Sequence, residues 1–339
     1  MLHDHRPDGR PAAARRLLAA SRRDLVVAAC VVGWIGAVLL LDAVDVPGTP
    51  RPGEDGTLWS SGPEVARQVL LGVTTWLVLG ALLRRESPLV RTQTLVVVGL
   101  ATCVEYTFSP LLEAYVYRIG TVPFFVPPGH GLVYLAALAL GRSALFAALR
   151  RPLVAGTVVV GGAWAGHGLV AARPDVLGAF WFCCLLGFLA WGRSRLLYVG
   201  AFVVVSYLEL VGTALGTWAW APSDPVLGVV SQGNPPSGAA GGYGWFDLYA
   251  LLLAPWVLRQ TRRAQSLAAR VASTWSWSRP FVATALPPKG PSAPSTEVNR
   301  PPASTTTGTS AAMSYRCSDG SQATSTAPSA SSMYDQKSP

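Results

Sequence analysis

The segment from Glu209 to Trp220 reads ELVGTALGTWAW and places a carboxylate inside an otherwise apolar stretch of the chain. An earlier segment, from Glu105 to Tyr117, reads EYTFSPLLEAYVY and has the same outline, because each glutamate is followed nine or ten residues later by an aromatic-x-aromatic pair. A carboxylate at membrane depth costs at least ~2.5 kcal/mol by insertion scales. Two such glutamates in one sequence context predict a duplicated unit with a site between its copies.

The composition predicts a membrane protein. The chain has 339 residues, of which 50% are hydrophobic and only 13% are charged. Soluble domains carry about 25% charged residues. The formal net charge of +9 comes almost entirely from arginines at the ends of apolar stretches, so we expect no binding of nucleic acid.

Eight apolar stretches approach the ~20 residues that a membrane-crossing helix needs. Backbone groups in lipid must form their hydrogen bonds internally, which favours helices. The predicted fold is therefore an all-α polytopic membrane helix bundle with about eight transmembrane helices. The spans lie near residues 25–43, 65–83, 92–109, 131–149, 153–172, 176–192, 196–216 and 241–258.

The connections between the spans alternate between arginine-rich and arginine-poor, and the positive-inside rule then predicts that both termini are cytoplasmic. Four regions follow. Residues 1–24 form a basic N-terminus, 25–258 the transmembrane domain, 259–279 a basic juxtamembrane segment and 280–339 a Ser/Thr/Pro-rich tail. The tail lacks the apolar residues needed for a core, so we expect it to be disordered.

The juxtamembrane segment has two interpretations. It carries Arg262, Arg263 and Arg270 together with tryptophans. It is either an amphipathic helix on the anionic inner leaflet or an unstructured basic flank. The first apolar span follows a basic segment and lacks a clear cleavage site, so we interpret it as a retained signal-anchor helix.

A second match extends the repeat. Each copy has a Pro-Pro pair, then Gly129-His130-Gly131 in the first copy and Gly242-Tyr243-Gly244 in the second, at the start of a new apolar stretch. Spans three and four thus correspond to spans seven and eight. The pattern predicts a parallel 4+4 repeat with halves near 25–149 and 153–258, as in transporters whose halves are related by an axis along the membrane normal.

The polar groups of these spans fall at one depth, the outward-facing third of the bundle, and bundles build sites from such facing side chains. We expect no metal or cofactor, because the cysteines lack metal-like spacing and no nucleotide or hydrolase motif is present. The predicted catalytic residues are Glu105, Glu209, Asp247 and His130. The predicted substrate-binding residues are Tyr115, Tyr117, Trp218, Trp220, Tyr243, His167 and Asn234.

Structural roles remain open for each of these residues. The two glutamates could bond loop N–H groups or an arginine such as Arg118, and Asp247 could cap span eight. His130 could be a turn residue at a helix entry. His167 could make a helix–helix contact, and Asn234 could serve a turn. The aromatic pairs could be interfacial anchors.

The pattern formed by Glu209, Gly212, Gly216, Trp218 and Trp220 resembles the integral-membrane carotenoid-biosynthesis hydratases of bacteria and archaea. In that family a membrane glutamate precedes a Gly-x-Tyr-x-Tyr step and a Val-Pro segment. Glu105, Tyr115, Tyr117, Val122 and Pro123 resemble the same pattern. The first copy lacks the glycines, and the second has tryptophan in place of tyrosine. The chain is also similar, more distantly, to polytopic terpene cyclases that use intramembrane carboxylates as proton donors.

The resemblance implies a bacterial plasma-membrane enzyme that adds water to, or cyclises, a membrane-dissolved isoprenoid. Glu209 or Glu105 would donate the proton, and Asp247 would stabilise the cation. The alternative is a small-solute or proton-coupled transporter, or a non-enzymatic envelope protein, because intramembrane acids and parallel repeats also suit a proton relay.

Overall fold

The computed structural model describes residues 10–44, 62–226 and 228–277, so the predicted disordered tail lies outside the described residues. The described part is mostly helical, which confirms the all-α prediction apart from two short strands, β1 and β2. The elements are α1 (Arg10–Ala43), α2 (Gly62–Leu83), α3 (Pro88–Tyr106), β1 (Tyr115–Tyr117), α4 (Val126–Arg142), α5 (Ala144–Ala148), α6 (Arg150–Val170), α7 (Val176–Trp191), α8 (Arg195–Ala214), β2 (Trp218–Trp220) and α9 (Ala239–Trp277).

A helix overlaps each of the eight predicted spans. Five helical stretches in the described part are long and apolar enough to cross a membrane, and α7 is apolar but shorter. These features fit a membrane protein. Eight crossings and the 4+4 repeat stay predictions. The five stretches are Ala20–Ala43, Gly62–Leu83, Pro88–Leu111, Arg150–Val170 and Arg195–Ala214, and the third consists of α3 and the π-helical turn Thr107–Leu111 that follows it.

The fourth predicted span, 131–149, has wrong boundaries. Helix α4 begins at Val126 and carries proline in its first turn, where a proline removes no intrahelical hydrogen bond. It ends at Arg142, and the Ser143 side chain then accepts a hydrogen bond from the Phe146 N–H to begin α5. His130 therefore lies inside a helix, and its interpretation as a turn residue at a helix entry is wrong.

Helix α9 is longer than the span predicted at 241–258. It continues without interruption from Ala239 to Trp277, and residues 261–273 are exposed. The juxtamembrane segment is therefore helical up to Trp277, and the interpretation as an unstructured flank is wrong there. Its placement on the inner leaflet stays a prediction.

Four helices surround the site: α3 and α8 each pack against both α4 and α9. Helices α8 and α4 pack closely together. A Cβ at Gly200 would lie 2.4 Å from the carbonyl oxygen of Ala137, so only glycine fits there. Small residues that bring backbones together are typical of helix packing in membranes.

The strands β1 and β2 pair antiparallel at the end of this four-helix group. Their register sets Tyr115 opposite Trp220, and Tyr117 opposite Trp218. The burial of β1 alternates, because both tyrosines are buried and Val116 is exposed. The two predicted aromatic pairs are therefore brought together on one small sheet.

Candidate functional site

A cavity of about 430 Å³ lies where α3, α4, α8 and α9 meet the strand pair, and α1 and α7 complete its walls. Its size falls within the ~300–1,000 Å³ usual for small-molecule pockets. Most of its lining is apolar, with a few polar groups that converge on it. Eight predicted site residues contribute to that lining: Glu105, Glu209, His130, Tyr115, Tyr117, Trp218, Trp220 and Tyr243.

Glu105 has hydrogen-bond partners at both of its carboxyl oxygens. The hydroxyl groups of Tyr115 and Tyr117 donate to Oε2 at 2.9 and 2.7 Å. Oε1 lies 2.7 Å from Nε2 of His130 and is hydrogen-bonded to it. Burial raises the pKa of both tyrosines far above the usual range, and the nearby Glu105 carboxyl group adds to this effect. Both phenols therefore keep their protons and act as donors.

Glu209 is bound on one side only. The indole N–H groups of Trp218 and Trp220 donate to Oε2 at 3.0 and 3.2 Å. Its other oxygen, Oε1, accepts no hydrogen bond from any described residue, although Glu209 is only 4% exposed and lines the cavity. The two glutamates thus differ: Glu105 is held at both oxygens, whereas Glu209, which also lines the cavity, has one oxygen without a partner among the described residues.

Gly212 makes the contact between Trp218 and Glu209 feasible. Trp218 folds back against α8, and a Cβ at Gly212 would lie 1.9 Å from its ring. Gly216 has a φ of +69°, which glycine adopts without strain, and it turns the chain from α8 into β2. The two glycines of the sequence pattern therefore have separate structural roles at the same site.

One wall of the cavity is an aromatic cluster between α4 and α9. The rings of His130 and Tyr243 stack with centroids 5.2 Å apart, and Phe246 contacts both rings edge-on. Near the strands, Tyr115 and Trp220 have centroids 4.6 Å apart. The cavity thus presents several ring faces close to the two carboxyl groups.

The connection from β2 to α9 covers the cavity and is held by two residues that the sequence analysis did not select. The Arg173 guanidinium donates to the carbonyl groups of Trp220, Ala221 and Gln232 at 2.6 to 2.8 Å. Burial lowers the pKa of Arg173, and Asp175 opposes that shift.

Asp175 completes this attachment. Its carboxylate caps α7 through the N–H of Gly178 and also accepts from Gly233 and Ser237 at 2.8 and 2.6 Å. Asp175 directly precedes an apolar helix, which is the usual position of an N-cap residue. That signal could have identified it from the sequence.

Two predicted substrate-binding residues lie away from the cavity. His167 is exposed on α6. Asn234 is exposed, and its side-chain oxygen accepts a hydrogen bond from the Trp220 N–H at 3.0 Å, so it supports the end of β2. Neither residue is among those that line the cavity.

Asp247 is buried but is not among the lining residues either. It lies one helical turn beyond Tyr243 on α9. Its Oδ2 and the Tyr134 hydroxyl have no hydrogen-bond partner in the described part. Because α9 begins at Ala239, Asp247 is well inside the helix, and its predicted capping role is wrong.

Arg118 does not pair with either site glutamate. It forms ion pairs with Asp42 at 3.2 Å and Glu64 at 3.5 Å, and Gln68 donates to Asp42 at 2.5 Å. This buried network ties the end of β1 to α1 and α2. The sequence analysis did not select Asp42, which lies inside the first predicted span, or Glu64, which directly precedes the second.

Within the described ranges, no three His, Cys, Asp or Glu side chains form a group able to hold a metal ion. Comparisons with protein-family models, with curated proteins and with solved structures find no match to this chain. The functional interpretation therefore depends on the geometry of the cavity.

Proposed function

We propose that the chain is a membrane enzyme that protonates an alkene of a membrane-dissolved isoprenoid, leading to hydration or cyclisation. The observation that supports this most is Glu209, which lines an apolar, aromatic-lined cavity and whose Oε1 accepts no hydrogen bond from the described residues. A carboxyl group placed in this way can deliver a proton to a substrate carbon. General acid catalysis by a positioned group contributes typically 10²–10⁴-fold to a rate.

The proton balance assigns different roles to the two glutamates. Glu209 gives its proton to one alkene carbon, and the neighbouring carbon becomes a cation. Water then adds to that cation and loses a proton, or an internal alkene attacks it and a C–H proton is lost at the end. Glu105, hydrogen-bonded to His130 at 2.7 Å, is the candidate acceptor for the proton that is released.

The aromatic rings suit the charge that would develop in the cavity. Ring faces attract a cation within about 6 Å of their centroids. Tyr115, Trp220 and Tyr243 all line the cavity. Asp247 is not among the residues that line the cavity, so it has no direct role in stabilising the cation in this proposal.

The antiparallel register supports the proposed repeat. Tyr115 corresponds to Trp218 and Tyr117 to Trp220, so each cross-strand pair joins the first position of one copy to the second position of the other. A two-fold axis between the copies requires this pairing. We propose that the repeat is real, that the chain crosses a bacterial plasma membrane eight times and that both termini are cytoplasmic.

A second candidate is a proton-coupled carrier. Asp247 is buried one turn beyond the cavity, and in the described part neither its Oδ2 nor the Tyr134 hydroxyl has a hydrogen-bond partner. Intramembrane acids of this kind often belong to proton relays. In this alternative, Glu209 and Asp247 would carry protons in sequence.

Mass spectrometry of lipid extracts can separate the two candidates. Extracts of a strain lacking the gene are compared with wild type and with the strain carrying the gene again. If the chain is the enzyme, the deletion strain should accumulate an isoprenoid precursor and lack its hydrated or cyclised product. The product should return in the strain that carries the gene again. Unchanged isoprenoids would reject the enzyme, and a pH-dependent loss of solute uptake would favour the carrier.

A further inference from the structure

A second cleft, of about 610 Å³, lies at the opposite end of the bundle from the glutamate cavity. It is formed by the first part of α1, the end of α2 and the connection that leads into α3, with Leu135 of α4 at its base. Glu86 borders the cleft at the start of α3, and Glu105 is near the other end of that helix. At 1.5 Å per residue, the two ends are roughly 28 Å apart.

The mouth of the cleft carries an excess of positive charge. Arg22, Arg23 and Arg85 line it together with one acid, Glu86. That acid is already bound at 2.9 and 2.7 Å by Arg142, which reaches it from the end of α4. Glu86 therefore pairs with Arg142 and, at 3.9 Å, with Arg23, and forms no ion pair with Arg22 or Arg85.

Two of these arginines have free guanidinium groups. Arg22 and Arg85 are exposed, and neither side chain makes a hydrogen bond or ion pair with a described residue. Arg23 bridges the cleft, because its guanidinium donates to the Arg85 carbonyl at 3.3 Å and lies 3.9 Å from Glu86. This arrangement holds the α2–α3 connection against α1 and keeps the three arginines together.

The inner wall of the same cleft is apolar. Val26, Val27, Leu82 and Leu135 lie directly below the arginines, and Val26 is 53% exposed. A free phosphate ion would find cationic groups here but would gain nothing from the apolar wall. A phospholipid would use both parts, since its phosphate would meet the guanidinium groups and its acyl chains would cover the valine and leucine side chains.

We propose that this cleft binds the headgroup of an anionic phospholipid, with its phosphate between Arg22 and Arg85 and its acyl chains along Val26 and Leu82. Guanidinium groups match phosphate geometry and bind it through paired hydrogen bonds. Basic pockets between transmembrane helices on the cytoplasmic side are known lipid headgroup sites. This site is separate from the exposed Arg262, Arg263 and Arg270 of α9 and does not depend on the chemistry of the glutamate cavity.

Lipid titration of the full chain in detergent tests this site. Phosphatidylglycerol binding is measured by native mass spectrometry and by the shift in melting temperature, with phosphatidylcholine as the neutral lipid. We compare wild type with Arg22→Gln, Arg85→Gln and the double variant. The matched control is Arg84→Gln, which removes an exposed arginine from the same connection but not from the cleft.

We expect wild type and Arg84→Gln to bind phosphatidylglycerol in preference to phosphatidylcholine. Each cleft variant should bind it about tenfold more weakly, as the loss of a charge-assisted hydrogen bond implies. Equal binding by the double variant and wild type would overturn the proposal. So would displacement of the lipid by equimolar inorganic phosphate, because that result would indicate a simple phosphate site.

Folding of the variants can be checked separately. Arg22 and Arg85 have no described side-chain partners, so their substitution should leave the melting temperature in phosphatidylcholine unchanged. If the single variants nevertheless unfold, Arg22→Lys and Arg85→Lys keep the charge and should retain selectivity for the anionic lipid. Loss of that selectivity in the folded lysine variants would contradict the proposed contacts.

Discussion

The imidazole ring of His130 stacks on the phenol ring of Tyr243, with centroids 5.2 Å apart and ring planes inclined by 20°. The two residues occupy corresponding positions in the two Gly-aromatic-Gly steps. They do not have the same partners, since His130 is hydrogen-bonded to Glu105 at 2.7 Å. The stack therefore links α4 to α9 while the histidine orients one of the two site carboxyl groups.

Removal of this imidazole should destabilise the protein. His130→Ala leaves the buried Oε1 of Glu105 without its partner, and such a loss costs about 1–3 kcal/mol. The measurement is the melting temperature of the purified protein in detergent. His167→Ala is the matched control, because His167 is exposed on α6 and its substitution should change stability by no more than about 0.5 kcal/mol. Equal effects of the two substitutions would show that the contact with Glu105 contributes nothing.

Gly212→Ala should remove Trp218 from Glu209. The new methyl group would lie 1.9 Å from the present position of the indole ring, so the ring must move and its hydrogen bond to Glu209 is lost. We expect lower activity and altered tryptophan fluorescence. Gly99→Ala on α3 is the control, because a Cβ there meets no atom within 4 Å. A fluorescence spectrum that is identical in Gly212→Ala and wild type would contradict this placement of Trp218.

Arg118→Gln should loosen the strand pair. Arg118 is 21% exposed at its side chain, and it is paired with Asp42, which is 1% exposed. Loss of a fully buried pair costs about 3–5 kcal/mol, and loss of a surface pair at most about 1 kcal/mol. We therefore expect a destabilisation of roughly 1–3 kcal/mol, measured by thermal unfolding. Arg84→Gln is the control and should have almost no effect, because Arg84 is exposed. An equally small effect of Arg118→Gln would show that the ion pairs of Arg118 do not contribute to stability.

A reporter fused after Arg263 tests the predicted orientation. The arginine-rich connections all fall on one side if there are eight crossings, and Arg263 then lies in the cytoplasm. A reporter that works only in the cytoplasm should be active at this position, and one that works only outside should be silent. The opposite pattern would contradict the cytoplasmic placement of Arg263.

The sequence could predict the helices because the apolar stretches are long and clearly bounded. It could not predict the start of α4, because the Pro-Pro pair was interpreted as a connection although the first turn of a helix accepts proline. The strand β1 was also missed. Its three residues alternate between buried and exposed, as a strand requires. Three residues are too few for this alternation to be recognised within an apolar loop.

The site was predictable in part for a similar reason. Glu105 and Glu209 stand out because a carboxyl group is rare in an apolar span, and their aromatic partners follow at a fixed spacing. Asp247 stands out equally, yet it lies one turn beyond the cavity, and depth along a helix cannot be judged from composition. Asp175 and Arg173 were missed because polar residues in a connection usually face water, whereas these two bind backbone groups.

Glu209→Gln in a strain without its own copy of the gene tests the central claim most directly. Glutamine keeps a carbonyl oxygen for the indole N–H groups of Trp218 and Trp220 but cannot deliver a proton, so stability should change by only ~0.5–1.5 kcal/mol. The measurement is the lipid product that disappears on deletion, taken at equal protein levels in the membrane, with the exposed Glu113→Gln as control. The account predicts no product with Glu209→Gln and a normal amount with Glu113→Gln. A normal amount with Glu209→Gln would contradict its assignment as the acid.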